Sequence, residues 1–517
     1  MNILIVKHGF TDFHNELFHI CKLFFEDVRL LEPGDDAPPE LTLELTLPDP
    51  DAEGGERCAT GRLHRRADGG TWTASTARPA AQGPQSSETE ERLAKRMILA
   101  TALKLLEQAT GLQQPWGILT GVRPTKLFHN RMREQPIEAC IRQLKEDYLV
   151  SDEKANLLAD IAVRQLKVIP DLFNLDREVS VYIGIPFCPT KCAYCTFPAY
   201  DIRGNNGSVQ EFLAGLHEEI RQMGAWMRRA GVNITTIYWG GGTPTSIEAD
   251  EMDALFRTMR EHFPDLGRVR ELTVEAGRPD TITPEKLEVM RRWNVDRISI
   301  NPQSFTQLTL DVIGRHHTVE ETVNKFKLSR AMGMNNINMD LIIGLPNEGT
   351  AEFRHTLGRV AELMPESLTV HTLSFKRASR MTQNRDQYEV AERDEIAEMM
   401  RMAAEFTSAN GYVPYYMYRQ KNILGNLENV GYSLEGRESL YNILMMEERQ
   451  TIIGLGCGAV SKILWPETDD GQGGRTQRIE RLPNPKEPNA YNRSYREYID
   501  KKIALLDEAY GLSARAE

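Results

Sequence analysis

The chain has 517 residues, 41% hydrophobic and 26% charged, the balance of a soluble globular protein with the length for two to four domains. No apolar run is long enough to span a bilayer, and the opening MNILIVKHGF lacks the apolar length and small-residue cleavage site of a secretory signal. A net charge of −12 argues against a nucleic-acid binder, which would show a basic domain or patch.

Residues 1–170 read as an α+β accessory domain. Asn2–Val6 and Leu41–Leu47 have strand patterns, the second alternating Leu with Thr and Glu. Arg57 to Thr76 reads as a hairpin turning at Ala-Asp-Gly-Gly, 67–70. Ala77 to Ser87 reads as a Pro/Gly/Ser linker, and Thr89 to Thr110 as a helix closed by Gly111. Arg123 and Lys126 read as members of a packed loop paired with surface acids; contact with an anionic substrate is the alternative.

From Val179 short apolar runs alternate with amphipathic stretches. Strands are expected at 179–187, 234–242, 270–277, 297–303, 336–343 and 367–375, and helices near 209–229, 249–263, 283–293, 318–333 and 350–363. Such repetition means parallel strands joined by right-handed crossovers, in a core spanning 171–380. The remainder, 381–517, is expected to form a mainly helical domain, opening with a helix over Tyr388–Asn410.

The first strand of this core runs into Phe187-Cys188-Pro189-Thr190-Lys191-Cys192-Ala193-Tyr194-Cys195, with cysteines spaced C-x3-C-x2-C. Three thiolates on one loop suit three corners of an iron–sulfur cubane and leave one iron open. A zinc site or plain core cysteines are the alternatives. The other four cysteines, Cys21, Cys58, Cys140 and Cys457, are scattered, which argues against a disulfide framework and for a reducing cytoplasm. Cys457 reads as a small buried hydrophobe.

Later strands also end in residues with ligand chemistry. The second ends in Trp239-Gly240-Gly241-Gly242-Thr243, whose glycines let a backbone approach a ligand closely. The third, Leu272-Thr-Val-Glu275-Ala-Gly-Arg278-Pro279, offers a carboxylate suited to sugar hydroxyls. The fourth leads to Gln303, with Arg315 twelve residues on; a guanidinium fork matches a carboxylate. The adjacent His316 and His317 are not read as one metal site. In the fifth, Asp340 has apolar neighbours, so it needs a partner. Ser374 closes the sixth.

The stretch Tyr182-Ile-Gly-Ile-Pro-Phe-Cys188-x3-Cys192-x-Tyr194-Cys195 resembles the cluster loop of the radical S-adenosylmethionine (SAM) enzymes. It is most similar to the oxygen-independent coproporphyrinogen III dehydrogenase-like branch and its HemZ-type members, whose N-terminal region Pro115–Lys126 also resembles. The resemblance covers about 180 to 465 strongly. It implies a partial (β/α)6 barrel, with chemistry at the C-terminal ends of the strands. It implies a [4Fe-4S] cluster on Cys188, Cys192 and Cys195. SAM would be held by Tyr182, Tyr194, Gly241, Gly242, Thr243, Glu275, Gln303, Arg315 and Asp340, with Ser374 near adenine and Val460 lining an outer ligand pocket. Tyr182 is the residue expected to act in catalysis, from inside the barrel; core packing is the alternative for it and for Tyr194.

The implied reaction is oxidative decarboxylation of coproporphyrinogen III to protoporphyrinogen IX in heme biosynthesis. The implied partners are an anionic tetrapyrrole, bound by local basic residues, and an electron donor such as flavodoxin or ferredoxin. Dehydrogenases often carry a fourth cysteine where this chain has Phe197, and the branch without it includes heme chaperones. Their His-Asn-x-x-Tyr-like heme motif is not intact here either, the nearest stretch being Gly425-Asn426. Gly184 stands where relatives often have histidine. The resemblance thus leaves open a dehydrogenase and a heme-transfer protein.

Overall fold

A computed structural model describes residues 1–47, 56–79, 90–121, 123–374, 379–384, 388–420, 423, 426–469 and 475–512. They form two compact units, Met1–Asp160 with Thr468–Thr476, and Ile161–Glu467 with Gln477–Glu517.

In the first unit, β1 (Asn2–His8), β2 (Arg29–Leu31), β3 (Leu41–Thr46), β4 (Glu56–Arg65) and β5 (Thr71–Pro79) form a sheet in the order β2-β1-β3-β4-β5. β1 is parallel to both neighbours and β3, β4 and β5 are antiparallel. Leu41, Leu43 and Leu45 alternate onto one buried face. They share a core with Met97, Ile98, Ala102 and Leu105 of the helix Glu90–Thr110. The hairpin turn is where the glycines predict it, with Gly69 at φ 71°, and Gly111 at φ 75° closes the helix. Of the linker expected at 77–87, the first three residues end β5, and 80–87 lie outside the described residues. Arg123 and Lys126 are half-buried at the start of the helix Pro124–Met132.

The second unit is built on one eleven-stranded sheet. Six strands run parallel in chain order: β6 (Glu178–Ile185), β7 (Asn233–Gly241), β8 (Glu271–Glu275), β9 (Arg297–Ser299), β10 (Ile337–Ile343) and β11 (Ser367–Thr372). The helices Val209–Ala230, Ala249–His262, Pro284–Arg292, Val319–Ala331 and Thr350–Leu363 alternate with them. This is the partial (β/α)6 barrel. β9 is shorter than expected because Pro302 has no amide hydrogen to give and Gln303 takes φ 66°. What remains of its far end is a single bridge, Gln303 to Leu341.

Paired residues share a face of a sheet, and the register separates two chemistries. Tyr182, Tyr238, Thr273 and Arg297 are paired in a row on one face, as are Glu275, Ser299, Asn338 and Ser367. On the other face, Ile183, Trp239, Val274 and Ile298 form an apolar, buried row. The helices cover this apolar face: Trp239 stacks on Phe256 of Ala249–His262, ring centroids 4.4 Å apart. The polar face is the barrel interior.

The sheet continues past the six strands on both sides. β12 (Val413–Tyr418) and β13 (Asn429–Ser433) lie beyond β11, antiparallel to each other and with β13 antiparallel to β11. On the other side β14 (Thr451–Gly456) is parallel to β6, and antiparallel β15 (Val460–Leu464) and β16 (Ile479–Pro483) follow. Among the described residues of the C-terminal region helices are the larger share, led by Arg393–Ala409 and Pro488–Ala509. The strands among them extend the barrel sheet, which the sequence reading did not anticipate. The last helix is fastened inside the unit by a fully buried ion pair, Lys502 Nζ to Glu219 Oε1 at 2.9 Å. Glu219 also accepts from Gly456 N, Asn484 Nδ2 and Tyr491 Oη, at 2.6, 2.9 and 2.7 Å.

Candidate functional site

β6 delivers the cysteine loop. Phe187–Cys188 pairs with Tyr200–Asp201, and the loop beyond is pinned from several sides. Ala193 N donates to Ile313 O (2.9 Å), Met381 N to Ala193 O (3.0 Å) and Thr190 Oγ1 to Gly314 O (3.3 Å). Cys188 and Cys192 are buried and Cys195 is half-buried. Cys188 Sγ lies 3.2 Å from Thr243 Oγ1 and Cys192 Sγ 3.8 Å from Arg278 Nη1. Burial pushes the Cys188 thiol up to about 11 and raises that of Cys195, and neighbouring thiols add to both. These thiols are protonated until a metal displaces their protons.

The end of β7 is zipped to that loop: Gly242 N donates to Ile185 O and Thr243 N to Phe187 O, both at 2.7 Å. The approach requires glycine. A Cβ on Gly242 would sit 2.6 Å from Phe187 O, and Gly241 holds φ 110°. Gly184 is bare because the turn after β14 occupies its space; a Cβ there would lie 2.9 Å from Cys457 O.

Below the mouth, three tyrosine rings stack. Tyr182 and Tyr238 centroids are 6.1 Å apart, Tyr182 and Tyr441 6.2 Å, and Tyr238 and Tyr441 4.4 Å. Tyr441 comes from the helix Leu440–Glu447, whose first turn is capped by Glu271 at the start of β8. That carboxylate accepts from Ser439 Oγ (3.0 Å), Leu440 N (2.8 Å) and Tyr441 N (3.1 Å). Tyr238 donates to Glu275. Burial lifts Glu275 to about 7, with the Tyr238 hydrogen bond opposing and the Asp340 charge adding.

Asp340 has the partners its surroundings demand. Asn338 Nδ2 donates to Oδ1 at 2.8 Å, His371 Nε2 is 3.7 Å from Oδ2, and His371 Nδ1 is 3.1 Å from Tyr418 Oη. Burial works to raise its pKa, but His371, Asn338 and Thr369 together hold it below the ordinary value. The two carboxylates thus differ at neutral pH, Glu275 near half-protonation and Asp340 ionised.

Arg315 reaches across the mouth. Nη1 donates to Tyr194 Oη (3.2 Å), and Nη2 to Gly277 O (2.7 Å) and Asn301 O (2.9 Å). Its buried Nε has no partner, nor have Gln303 Oε1 and Ser299 Oγ. Buried polar atoms are nearly always paired, so these three suit a polar ligand. His317 is buried and His316 exposed, so the pair does not face one ion. Burial, with Arg315 and Arg278 nearby, lowers His317 to about 3.

The cysteines, Tyr182, Tyr194, Gly241, Gly242, Thr243, Glu275, Gln303, Arg315 and Asp340 therefore gather at or inside the C-terminal mouth of the barrel. Ser374, half-buried, bridges Ile423 just past β11. Val460 is 40% exposed at the start of β15, apart from this hydrogen-bonded group, and Phe197 is 61% exposed. Gly425 lies outside the described residues. Cys457 is buried, and its thiol donates to Pro485 O at 3.2 Å. The sequence reading missed Tyr238, Arg278, His371, Tyr418 and Tyr441. Period-two spacing from Gly240 back to Tyr238 was a signal for the first; Tyr418 and Tyr441 come from elements remote in sequence.

The donor set fits a cluster and a polar cofactor. Among the described residues no three His, Cys, Asp or Glu side chains converge as around a single ion; a cubane asks instead for one thiolate on each of three irons. Beside the loop are the glycine edge and the unpaired atoms of Arg315, Gln303 and Ser299.

Comparison with known proteins agrees. The radical SAM superfamily is matched over residues 182–360. The chain is 52% identical over 502 residues, 96% of each chain, to the oxygen-independent coproporphyrinogen-III oxidase-like protein HemZ of Bacillus subtilis. It is 28% identical over 282 residues, 54% of this chain and 70% of the other, to the heme chaperone HemW of the same organism. Among solved structures, coproporphyrinogen III oxidase (HemN) from Escherichia coli superposes with a TM-score of 0.50 at 22% identity, covering 65% of this chain and 72% of the other. The superfamily uses a [4Fe-4S] cluster and SAM. The chain therefore belongs to the radical SAM superfamily and, within it, to the HemZ-type family of oxygen-independent coproporphyrinogen-III oxidase-like proteins.

Proposed function

We propose that this protein is an oxidoreductase that converts coproporphyrinogen III to protoporphyrinogen IX without oxygen, in the cytoplasm. Two propionates would each lose CO2, one hydrogen atom and one electron, becoming vinyls; the hydrogen would pass to the 5′-deoxyadenosyl group supplied by SAM and the electron to an external one-electron acceptor. The observation that carries the reading is the cysteine loop zipped to the Gly241–Thr243 edge, beside the unpaired atoms of Arg315 and Gln303, in a chain so similar to the coproporphyrinogen-III oxidase-like HemZ.

Cys188, Cys192 and Cys195 would hold the cluster. When bound, the cluster and SAM supply a carbon radical that abstracts hydrogen, chemistry that belongs to the cofactors. The chain's own residues bind and orient. Gly241, Gly242 and Thr243 present backbone to SAM. Arg315 offers its free Nε to a carboxylate. Gln303, Glu275 and Asp340 face hydroxyl and amino groups, with Asp340 kept ionised by its neighbours. Tyr182 closes the inner wall with Tyr238 and Tyr441 and excludes water. Ser374 and Val460 extend the contacts outward, and a flavodoxin- or ferredoxin-like protein would supply electrons.

The test is anaerobic turnover of reconstituted protein with reductant, SAM and coproporphyrinogen III. The expected products are protoporphyrinogen IX, CO2, methionine and 5′-deoxyadenosine. SAM cleavage with the tetrapyrrole unchanged would overturn the reading. A second reading, a heme-transfer protein, is favoured by the exposed Phe197 in place of a fourth cysteine and by the likeness to HemW. It requires a stable Soret band with added heme and delivery to an apo-acceptor.

A further inference from the structure

Arg278 lies three residues past β8, is 3% exposed, and has no part in the function proposed above. Its guanidinium is clamped as a fork by Asp280, with Nε 3.0 Å from Oδ1 and Nη2 2.8 Å from Oδ2. The clamp turns the remaining nitrogen, Nη1, toward the cysteine loop. There it donates to Thr190 Oγ1 at 3.1 Å and to Cys192 Sγ at 3.8 Å. Thr190 is itself tied to Gly314 O. Every nitrogen of the group is thus engaged, and its orientation is fixed by two separate segments.

We propose that Arg278 raises the reduction potential of the cluster held by Cys188, Cys192 and Cys195, by donating a charge-assisted hydrogen bond to the Cys192 sulfur; this rests on the cluster assignment made above. A [4Fe-4S]2+ core with three thiolates has a net charge of about −1, and one electron from an external one-electron donor takes it to about −2. The added charge spreads onto the ligand sulfurs, so a donor fixed there favours the reduced form. Asp280 sits on the far side of the guanidinium. The buried guanidinium is thus neutralised from its more exposed side, which limits its desolvation cost, while its positive end is turned to the sulfur. Arg278 and Cys192 are both shielded from water, where such an interaction is weakly screened.

The test is an EPR-monitored redox titration of anaerobically reconstituted full-length protein, with iron and sulfide per chain measured alongside. R278Q is expected to load as much iron and sulfide as the wild type and to show a more negative midpoint potential. D280N, which leaves the guanidinium unbalanced, is expected to move the midpoint the other way. An R278Q midpoint equal to the wild-type value, at equal iron content, overturns the proposal. If R278Q loads no cluster, D280N decides: a midpoint at or below the wild-type value overturns it. A wild-type protein that takes up neither iron nor sulfide refutes the cluster assignment itself, which distinguishes that failure from this one.

Discussion

Glu275 and Asp340 line the same inner face, yet their surroundings push them apart. Asp340 receives Asn338 and faces His371, whereas Glu275 receives a single phenol and faces the Asp340 charge. Raised from an ordinary 4.5 to about 7, Glu275 keeps its proton in the fold at pH values where the unfolded chain has released it. Folding stability therefore falls as pH rises from about 4.5 through 7. A shift of that size is worth about 3 kcal/mol at full strength, reduced here because the side chain keeps surface toward the barrel interior. E275Q should melt with a shallower pH dependence than wild type, and at a higher temperature at pH 8. Thermal melts at pH 5, 6, 7 and 8 check this. A residual slope should survive, because burial also lifts Glu348 to about 7.

At the scale of elements, the decisive contact is one strand end lying on another. Gly242 brings β7 against the start of the cysteine loop with no room for a methyl group, the nearest atom being a backbone oxygen 2.6 Å from where it would go. G242A should keep the fold, at a cost of about 1–3 kcal/mol, and displace the loop. The expected reading is an unchanged far-UV CD spectrum with markedly less iron per chain after reconstitution. This part of the site was legible because its chemistry is close in sequence: the cysteines and the glycine run each fall in one loop, and Gln303 and Arg315 flank the short helix Gln307–Val312 at a spacing the family resemblance supplies. Of the inner wall the sequence named Tyr182, Glu275 and Asp340, but not the side chains that meet them. His371 of β11 meets Tyr418 of β12, and Tyr441 of the helix Leu440–Glu447 stacks on Tyr182 and Tyr238. Spacing along a chain does not report such convergence. The strands after 410 were hidden differently. Val413–Tyr418 is aromatic and suited to a strand, but Thr451–Gly456 is short and carries two glycines, a pattern shared with turns.

At the scale of the whole second unit, stability concentrates on Glu219. Lys502, Tyr491, Asn484 and the Gly456 amide all converge on it. K502M leaves a buried carboxylate without its cation and should cost about 3–5 kcal/mol in urea denaturation. The double variant E219Q/K502M should recover part of that loss, because no charge is then stranded.

β6 lies between β7 and β14, and the residues of β14 come about 270 positions later in the chain than those they pair with. While a ribosome has yet to reach residue 451, the strand that leads into the cysteine loop has one bare edge. The turn that packs over Gly184 also does not yet exist. Iron arriving before Thr451–Gly456 is made would meet a half-built cradle, so the complete site forms only once that later strand has paired with β6.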